Sequence, residues 1–296
     1  LKMFPYPDSI PWYIQFLANT CGLAICSGAD RGQSQVEKPS TYEMEYEDVT
    51  LKTVDNVRIK AYICKQVPDE VARNSPTLIY YHANAGNMGH RLPIAQVFYK
   101  KFKWNVVMLS YRGYGLSEGS PNEKGMRIDA QAILDYVKND DILRDTKIIV
   151  FGQSIGGAVA IDLVDALIVE NTFLSIPKMI PVVFPHLRHF TFLCHQIWSS
   201  ETAITKIERV PILFLSGSRD GLVPPQHMKA LYELAQTRKR WRPFLRGEHN
   251  DTAFQPGYYD TIEDFAETMC NIIFERDEKE NVTERIARMR EFIETK

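Results

Sequence analysis

Lys147-Ile148-Ile149-Val150-Phe151-Gly152-Gln153-Ser154-Ile155-Gly156-Gly157-Ala158 sets a short apolar β-run against G-x-S-x-G and then against small, helix-compatible residues. A serine hydroxyl is a weak nucleophile at its ordinary pKa and must be held exposed and close to a base. A sharp strand-to-helix turn does this, but the turn is strained and admits only small residues two positions either side of the serine, here Gly152 and Gly156. The helix that begins there also turns free backbone N–H groups toward the place where an oxyanion would form. G-x-S-x-G by itself is a weak signal; between a β-branched run and a helix start it predicts a nucleophile elbow with Ser154 at its tip.

If Ser154 is the nucleophile, an acid and a histidine should follow in that order, each after a later strand. Ile212-Leu213-Phe214-Leu215-Ser216 reads as a buried strand, and Asp220 lies in the turn Gly217 to Pro225 behind it. A helix from Gln226 to about Gln236 comes next, with Met228, Leu231, Tyr232 and Leu234 on its apolar side. Trp241 to Leu245 reads as a further strand, and His249 sits in the loop after it. Ser154, Asp220 and His249 are therefore the candidate triad, with the Ile155 and Asn84 backbone N–H groups as candidate oxyanion donors. Glu170, at the end of the predicted strand Ala166 to Glu170, is a rival acid. His82 reads as a structural residue of its loop, and Arg112 and Asp129 either orient loops or form a solvated salt link.

Several segments resemble the Bem46-type α/β-hydrolases, close to the membrane-associated ABHD13/ABHD17-like serine hydrolases. They are Tyr81-His82-Ala83-Asn84-Ala85-Gly86-Asn87-Met88-Gly89-His90-Arg91, Ser110-Tyr111-Arg112-Gly113-Tyr114-Gly115-Leu116-Ser117-Glu118-Gly119, the elbow, Gly217 to Pro225, and Gly247-Glu248-His249-Asn250-Asp251-Thr252. The resemblance runs from about Tyr46 to about Phe274. One departure stands in the first segment: the family reads H-G-N-A-G-N, and Ala83 replaces the glycine whose backbone freedom the oxyanion loop would use. The resemblance implies membrane-derived acyl substrates, S-acylated proteins or lipids, and a membrane-associated protein of the endoplasmic reticulum or plasma membrane with a soluble catalytic domain.

The alternation of strands with helices implies an α/β fold, a mostly parallel twisted sheet with helices on both faces. Strands are read at Glu43 to Lys52 and Val57 to Cys64, joined by Asp55-Asn56, then at Thr77 to Tyr81 and Asn105 to Tyr111. Helices are read at Arg91 to Phe102 and Gly125 to Asn139. After Ser154 a helix can run only to about Leu163 before the next strand. That is short for a parallel crossover, so either a turn is missing from the chain as written near Leu163-Val164 or the crossover is truncated. Between about residues 177 and 207, Met179, Ile180, Val182, Val183, Phe184, Leu187, Phe190, Phe192, Leu193, Ile197 and Trp198 are broken into short pieces by proline. They predict a short apolar lid, the alternative being a helix packed on the sheet.

Three parts are expected: an apolar, membrane-proximal segment over 1–40, the hydrolase domain over 41–275, and a charged linker with an amphipathic helix over 276–296. Ser9 to Ala29 carries no charge but is diluted by Pro11, Gln15, Asn19, Thr20 and Gly22, which favours a packed or interfacial entry segment over a membrane span. The chain opens at Leu1 rather than Met, which points to residues upstream; the resemblance implies an anchor there. Val282, Ile286, Met289 and Ile293 form one helical stripe in the tail, either docked or facing a partner or membrane surface.

A chain of 296 residues, 45% hydrophobic, can bury a full α/β core, and its net charge of −2 gives nucleic acid no electrostatic hold. The five cysteines are scattered without C-x-x-C, and the seven histidines show no paired ligand spacing; His186, His189 and His195 cluster without a carboxylate at ligand spacing. No cofactor and no metal are called for. The expected partners are an acyl ester or thioester substrate and a membrane surface, not nucleic acid. The chemistry predicted is ester or thioester hydrolysis through an acyl-enzyme. The competing readings are a non-catalytic scaffold of the same fold at a membrane and a serine peptidase.

Overall fold

The computed structural model describes residues 36–161, 166–183, 185, 188–189 and 191–274. The strands are β1 (Glu47–Lys52), β2 (Arg58–Cys64), β3 (Thr77–Tyr81), β4 (Asn105–Ser110), β5 (Ile148–Gln153), β6 (Leu167–Glu170), β7 (Ile212–Gly217) and β8 (Lys239–Phe244). The helices are α1 (Asp69–Asn74), α2 (Leu92–Lys100), α3 (Glu123–Asn139), α4 (Ile155–Ala160), α5 (Ile176–Val183), α6 (Ser200–Ile204), α7 (Pro225–Leu234) and α8 (Tyr258–Phe274). The chain divides into two compact units, Leu1–Pro256 and Gly257–Lys296, and α8 is the described part of the second. The apolar segment Ser9 to Ala29, the short crossover around Leu163-Val164 and the amphipathic tail lie outside the described residues.

One eight-stranded sheet orders the strands β1-β2-β4-β3-β5-β6-β7-β8. β2 pairs antiparallel with both β1 and β4, and every pairing from β4 to β8 is parallel. The parallel strands β3 to β7 are buried on both faces, β8 at the sheet edge is not, and the period of two assigns the faces. On one face Ile79 and Tyr81 of β3 join the core formed with Ala130, Ile133 and Val137 of α3 and Ala158 and Val159 of α4; the Tyr81 hydroxyl donates to Ala130 O at 3.0 Å. On the other face Tyr80 stacks on Phe151 at 4.7 Å between ring centres, and Phe98 of α2 covers Phe151 and Trp104. Helices therefore lie on both faces.

Element ends differ from the sequence reading where capping chemistry intervenes. β1 begins at Glu47 because a 3-10 turn, Pro39–Tyr42, ends on Glu43 in the left-handed region, with φ of 52°. α2 starts one residue later than read, at Leu92, directly behind the 3-10 turn Met88–Arg91, which Asn87 opens by accepting the Gly89 N–H at 2.9 Å. α3 starts early because Asn122 accepts the Gly125 N–H at 2.8 Å.

Arg112 and Asp129 are not a solvated link. Asp129 is fully buried; it accepts Arg112 Nε at 3.0 Å, its Nη2 at 2.8 Å and its backbone N–H at 2.8 Å, while Asp55 of the β1–β2 turn takes the other edge of the guanidinium. A planar fork that meets two carboxylates joins the hairpin turn, the segment after β4 and α3.

The apolar insert between β6 and β7 divides into two populations. Met179, Ile180, Trp198 and Ile204 are buried in the main core, so this part is packed helix and loop rather than lid. Glu123 at the start of α3 accepts the Ile197 and Trp198 N–H groups at 2.8 and 3.0 Å, and Arg127 lies over the Trp198 ring at 5.0 Å. Val182, Ile197 and Phe192 stay exposed, Phe192 by 76%.

Candidate active site

β5 delivers Ser154 in a conformation few L-residues adopt, with φ of 54° and ψ of −118°. Its N–H donates to Glu170 O at 2.9 Å, and its carbonyl accepts from Gly157 N at 2.9 Å and from Thr172 Oγ1 at 2.7 Å. The two glycines of the motif are steric requirements. A Cβ on Gly152 would come within 2.3 Å of Gly156 O, and one on Gly156 within 2.1 Å of Tyr81 O. The strain is thus held by the surrounding backbone, as expected at a site where strain positions a reacting group.

Asp220 and His249 leave the same edge of the sheet. β5, β6, β7 and β8 run parallel, and their C-terminal ends stand in register through Gln153↔Glu170, Glu170↔Leu215 and Gly217↔Phe244. Asp220 Oδ1 accepts two backbone N–H groups, from Leu222 and Val223, each at 2.8 Å. Its other oxygen, Oδ2, meets His249 Nδ1 at 2.7 Å. A carboxylate only accepts, so Nδ1 carries the proton and Nε2 is left as the basic nitrogen. Glu170, the rival acid, is engaged elsewhere: Gln153 Nε2 donates to its Oε1 at 2.9 Å. Asp220 and His249 are therefore brought into contact, with Ser154 on the same edge and Glu170 beside the elbow.

The loop after β3 carries Asn84. His82 is wholly buried, and its Nδ1 donates to Ala83 O at 2.7 Å; Tyr111 donates to His82 O at 3.2 Å and Tyr114 to Asn84 Oδ1 at 2.7 Å. In a trans peptide the C=O and N–H point opposite ways, so holding the Ala83 carbonyl also aims the Asn84 N–H. Ala83 itself avoids positive φ; the left-handed position falls on Gly86, with φ of 77°, which is why alanine is tolerated where the family has glycine. Among the described residues, no protein acceptor takes the Ile155 or Asn84 N–H.

Burial lowers the His82 pKa to about 3, so the ring is neutral in the folded protein. The unfolded chain takes up a proton there below about pH 6.5, and the folded chain does not. His82 therefore contributes stability that is present above that pH. The contribution is lost by about 1.4 kcal/mol per unit as pH falls toward the folded value. The slope of denaturant-measured stability between pH 6 and 4 is expected to flatten in His82→Asn, whose amide can still reach the Ala83 carbonyl; an unchanged slope would remove His82 from this account.

Among the described residues no group of three His, Cys, Asp or Glu side chains is gathered as for a metal ion. His189 and His195 are exposed, and His186 lies outside the described residues. Asn171 and Thr172, just after β6, reach the Ser154, Gly217 and His249 segments and were not singled out by the sequence reading. A short polar pair behind an apolar strand is too common a pattern to mark them.

Comparison with known proteins agrees with the fold. Residues 76–166 match the family model described as alpha/beta hydrolase fold. The chain is 48% identical to Protein bem46 of Schizosaccharomyces pombe over 242 residues, covering 79% of this chain and 80% of that protein. It is 41% identical to the membrane protein YNL320W of Saccharomyces cerevisiae over 252 residues, covering 82% and 87%. Among solved structures, the Pyrococcus furiosus esterase Pf2001 superposes with a TM-score of 0.64 at 20% identity, covering 78% of this chain and 92% of that one, a likeness of fold.

Proposed function

The chain belongs to the Bem46-type α/β-hydrolases, and from that footing we propose that it is a serine hydrolase acting on carboxylic esters or thioesters of medium to long acyl chains. The observation that carries this reading is the 2.7 Å contact of His249 Nδ1 with Asp220 Oδ2, made on the sheet edge where Ser154 is held in its strained turn. His249 Nε2 takes the proton of Ser154 Oγ as the oxygen attacks the acyl carbon, and Asp220 stabilises the imidazolium that forms. The Ile155 and Asn84 N–H groups receive the developing oxyanion, each such donor being worth about 3 kcal/mol in the transition state. Collapse passes the His249 proton to the leaving alcohol or thiol. Water, deprotonated by the same nitrogen, then releases the acid from the acyl-enzyme.

The substrate class follows from the insert, which leaves β6 at this same edge and keeps Val182, Phe192 and Ile197 exposed. Exposed aromatic and aliphatic side chains there favour an acyl chain, lipid-borne or protein-borne, over a peptide. Among the described residues no helix is long and apolar enough to cross a membrane. We place the protein at a membrane surface because the relative YNL320W is named a membrane protein.

Fluorophosphonate labelling followed by a chain-length series of p-nitrophenyl esters and acyl thioesters tests the reading. kcat/KM is expected to rise from acetyl to octanoyl by several-fold per methylene buried, each contributing about 0.8 kcal/mol. A strict acetyl preference would remove the apolar acyl site. Failure of the wild-type protein to label would favour the scaffold reading.

A further inference from the structure

Asn171 is the residue through which the nucleophile, acid and base segments are tied together. It follows the last residue of β6, is 1% exposed, and holds φ of 47°, which asparagine tolerates better than most side chains. Its Oδ1 accepts the Gly217 N–H at 2.8 Å, at the end of β7 where the Asp220 turn begins. Its Nδ2 donates to Thr252 Oγ1 at 2.9 Å and to the carbonyls of Glu248 and His249 at 3.2 Å each. Thr252 closes the ring by donating to Glu248 O at 2.7 Å. The next residue, Thr172, donates its hydroxyl to Ser154 O at 2.7 Å.

His249 lies beyond the end of β8, where no strand pairing holds its backbone. Its own carbonyl is instead held by Asn171, from the segment after β6, two strands away in the sheet. The same amide holds the root of the Asp220 turn, so one side chain sets the backbone positions on both sides of the Asp220–His249 contact. Only a short amide serves. It offers an acceptor to Gly217 N and a donor to the three oxygens opposite, whereas aspartate would face those oxygens with another oxygen.

We infer that Asn171 is a positioning residue for the reaction, acting through the His249 and Asp220 backbones without touching substrate. This rests on the serine-hydrolase reading above. Catalytic groups misplaced by about 1 Å lose about 100-fold in rate, so the loss should fall on turnover rather than on substrate binding.

The test is Asn171→Gly, because glycine adopts the same φ without strain and removes only the side chain. With a p-nitrophenyl octanoate substrate, kcat is expected to fall about 30-fold while KM stays within about twofold. The fluorophosphonate labelling rate should fall in parallel. In a His249→Ala background, Asn171→Gly should change the residual rate by less than about twofold, because the group it positions is gone. A merely structural role would lower that background rate again. Should Asn171→Gly not fold, Thr252→Val, which removes one partner of the amide, is expected to lower kcat about fivefold with KM unchanged. Wild-type kcat in the variant that folds, or an equal loss with and without His249, would overturn the inference. Inactive wild-type protein would overturn the serine-hydrolase reading and this one with it; active wild-type protein silenced by Ser154→Ala, with Asn171→Gly fully active, would overturn the positioning role alone.

Discussion

Ser154→Ala is expected to abolish covalent labelling by a fluorophosphonate and to lower ester turnover by about 10⁶-fold, with the thermal midpoint essentially unchanged. The effect should be large because nothing else at the elbow can attack: Gly152, Gly156 and Gly157 surround the position, and Thr172 Oγ1 is spent on the Ser154 carbonyl. The fold should survive because the Ser154 side chain makes no cap hydrogen bond, and alanine at φ of 54° is strained about as serine is. The interactions that hold the turn, from Glu170 O, Gly157 N and Thr172 Oγ1, all go to backbone atoms and persist. Labelling that continued in the variant, mapped by peptide mass, would assign the nucleophile to another serine.

The second large effect concerns the base and the acid. His249→Ala should cost several orders of magnitude in kcat, and Asp220→Asn about 10⁴-fold. The reason for the Asp220→Asn loss is geometric. Oδ1 of Asp220 accepts two backbone N–H groups, so an asparagine must turn its oxygen to them and its NH₂ toward His249. His249 Nδ1 would then have to accept, which moves the ring proton to Nε2 and removes the base from the serine. Glu170→Gln, in contrast, changes a carboxylate that accepts from Gln153 and should stay within about tenfold of wild type. Activity retained in Asp220→Asn and lost in Glu170→Gln would transfer the acid role to Glu170.

Much of this site was legible in the chain because its signals are local. An apolar run followed by G-x-S-x-G specifies a strand, a turn and a helix start from adjacent residues. β3 matches its expected bounds, and β4 and β7 each differ by one residue at the C-terminal end, because buried parallel strands are continuous apolar runs with polar ends. The Ser-Asp-His order was readable for the same reason, each residue coming just after such a run. The Ala83 departure was visible too, but its consequence was not: φ at that residue depends on where the loop places its left-handed turn, and Gly86 takes it.

Legible from the chain alone were the set of elements, the parallel character of the sheet and a short list of candidate reacting groups, all of which follow from periodicity and from residues next to one another. The folded chain adds that Asp220 meets His249 across the sheet edge while Glu170 accepts from Gln153, a difference the sequence does not carry because both carboxylates end or follow a strand. It alone placed Met179, Ile180 and Trp198 of the expected lid in the core, because they are as apolar as Phe192 and differ from it only in what packs against them. It alone exposed Asn171, whose partners at Gly217, Glu248, His249 and Thr252 are remote in sequence. Hydrogen bonds of that range leave no period and no motif; they exist only once β6, β7 and β8 lie side by side.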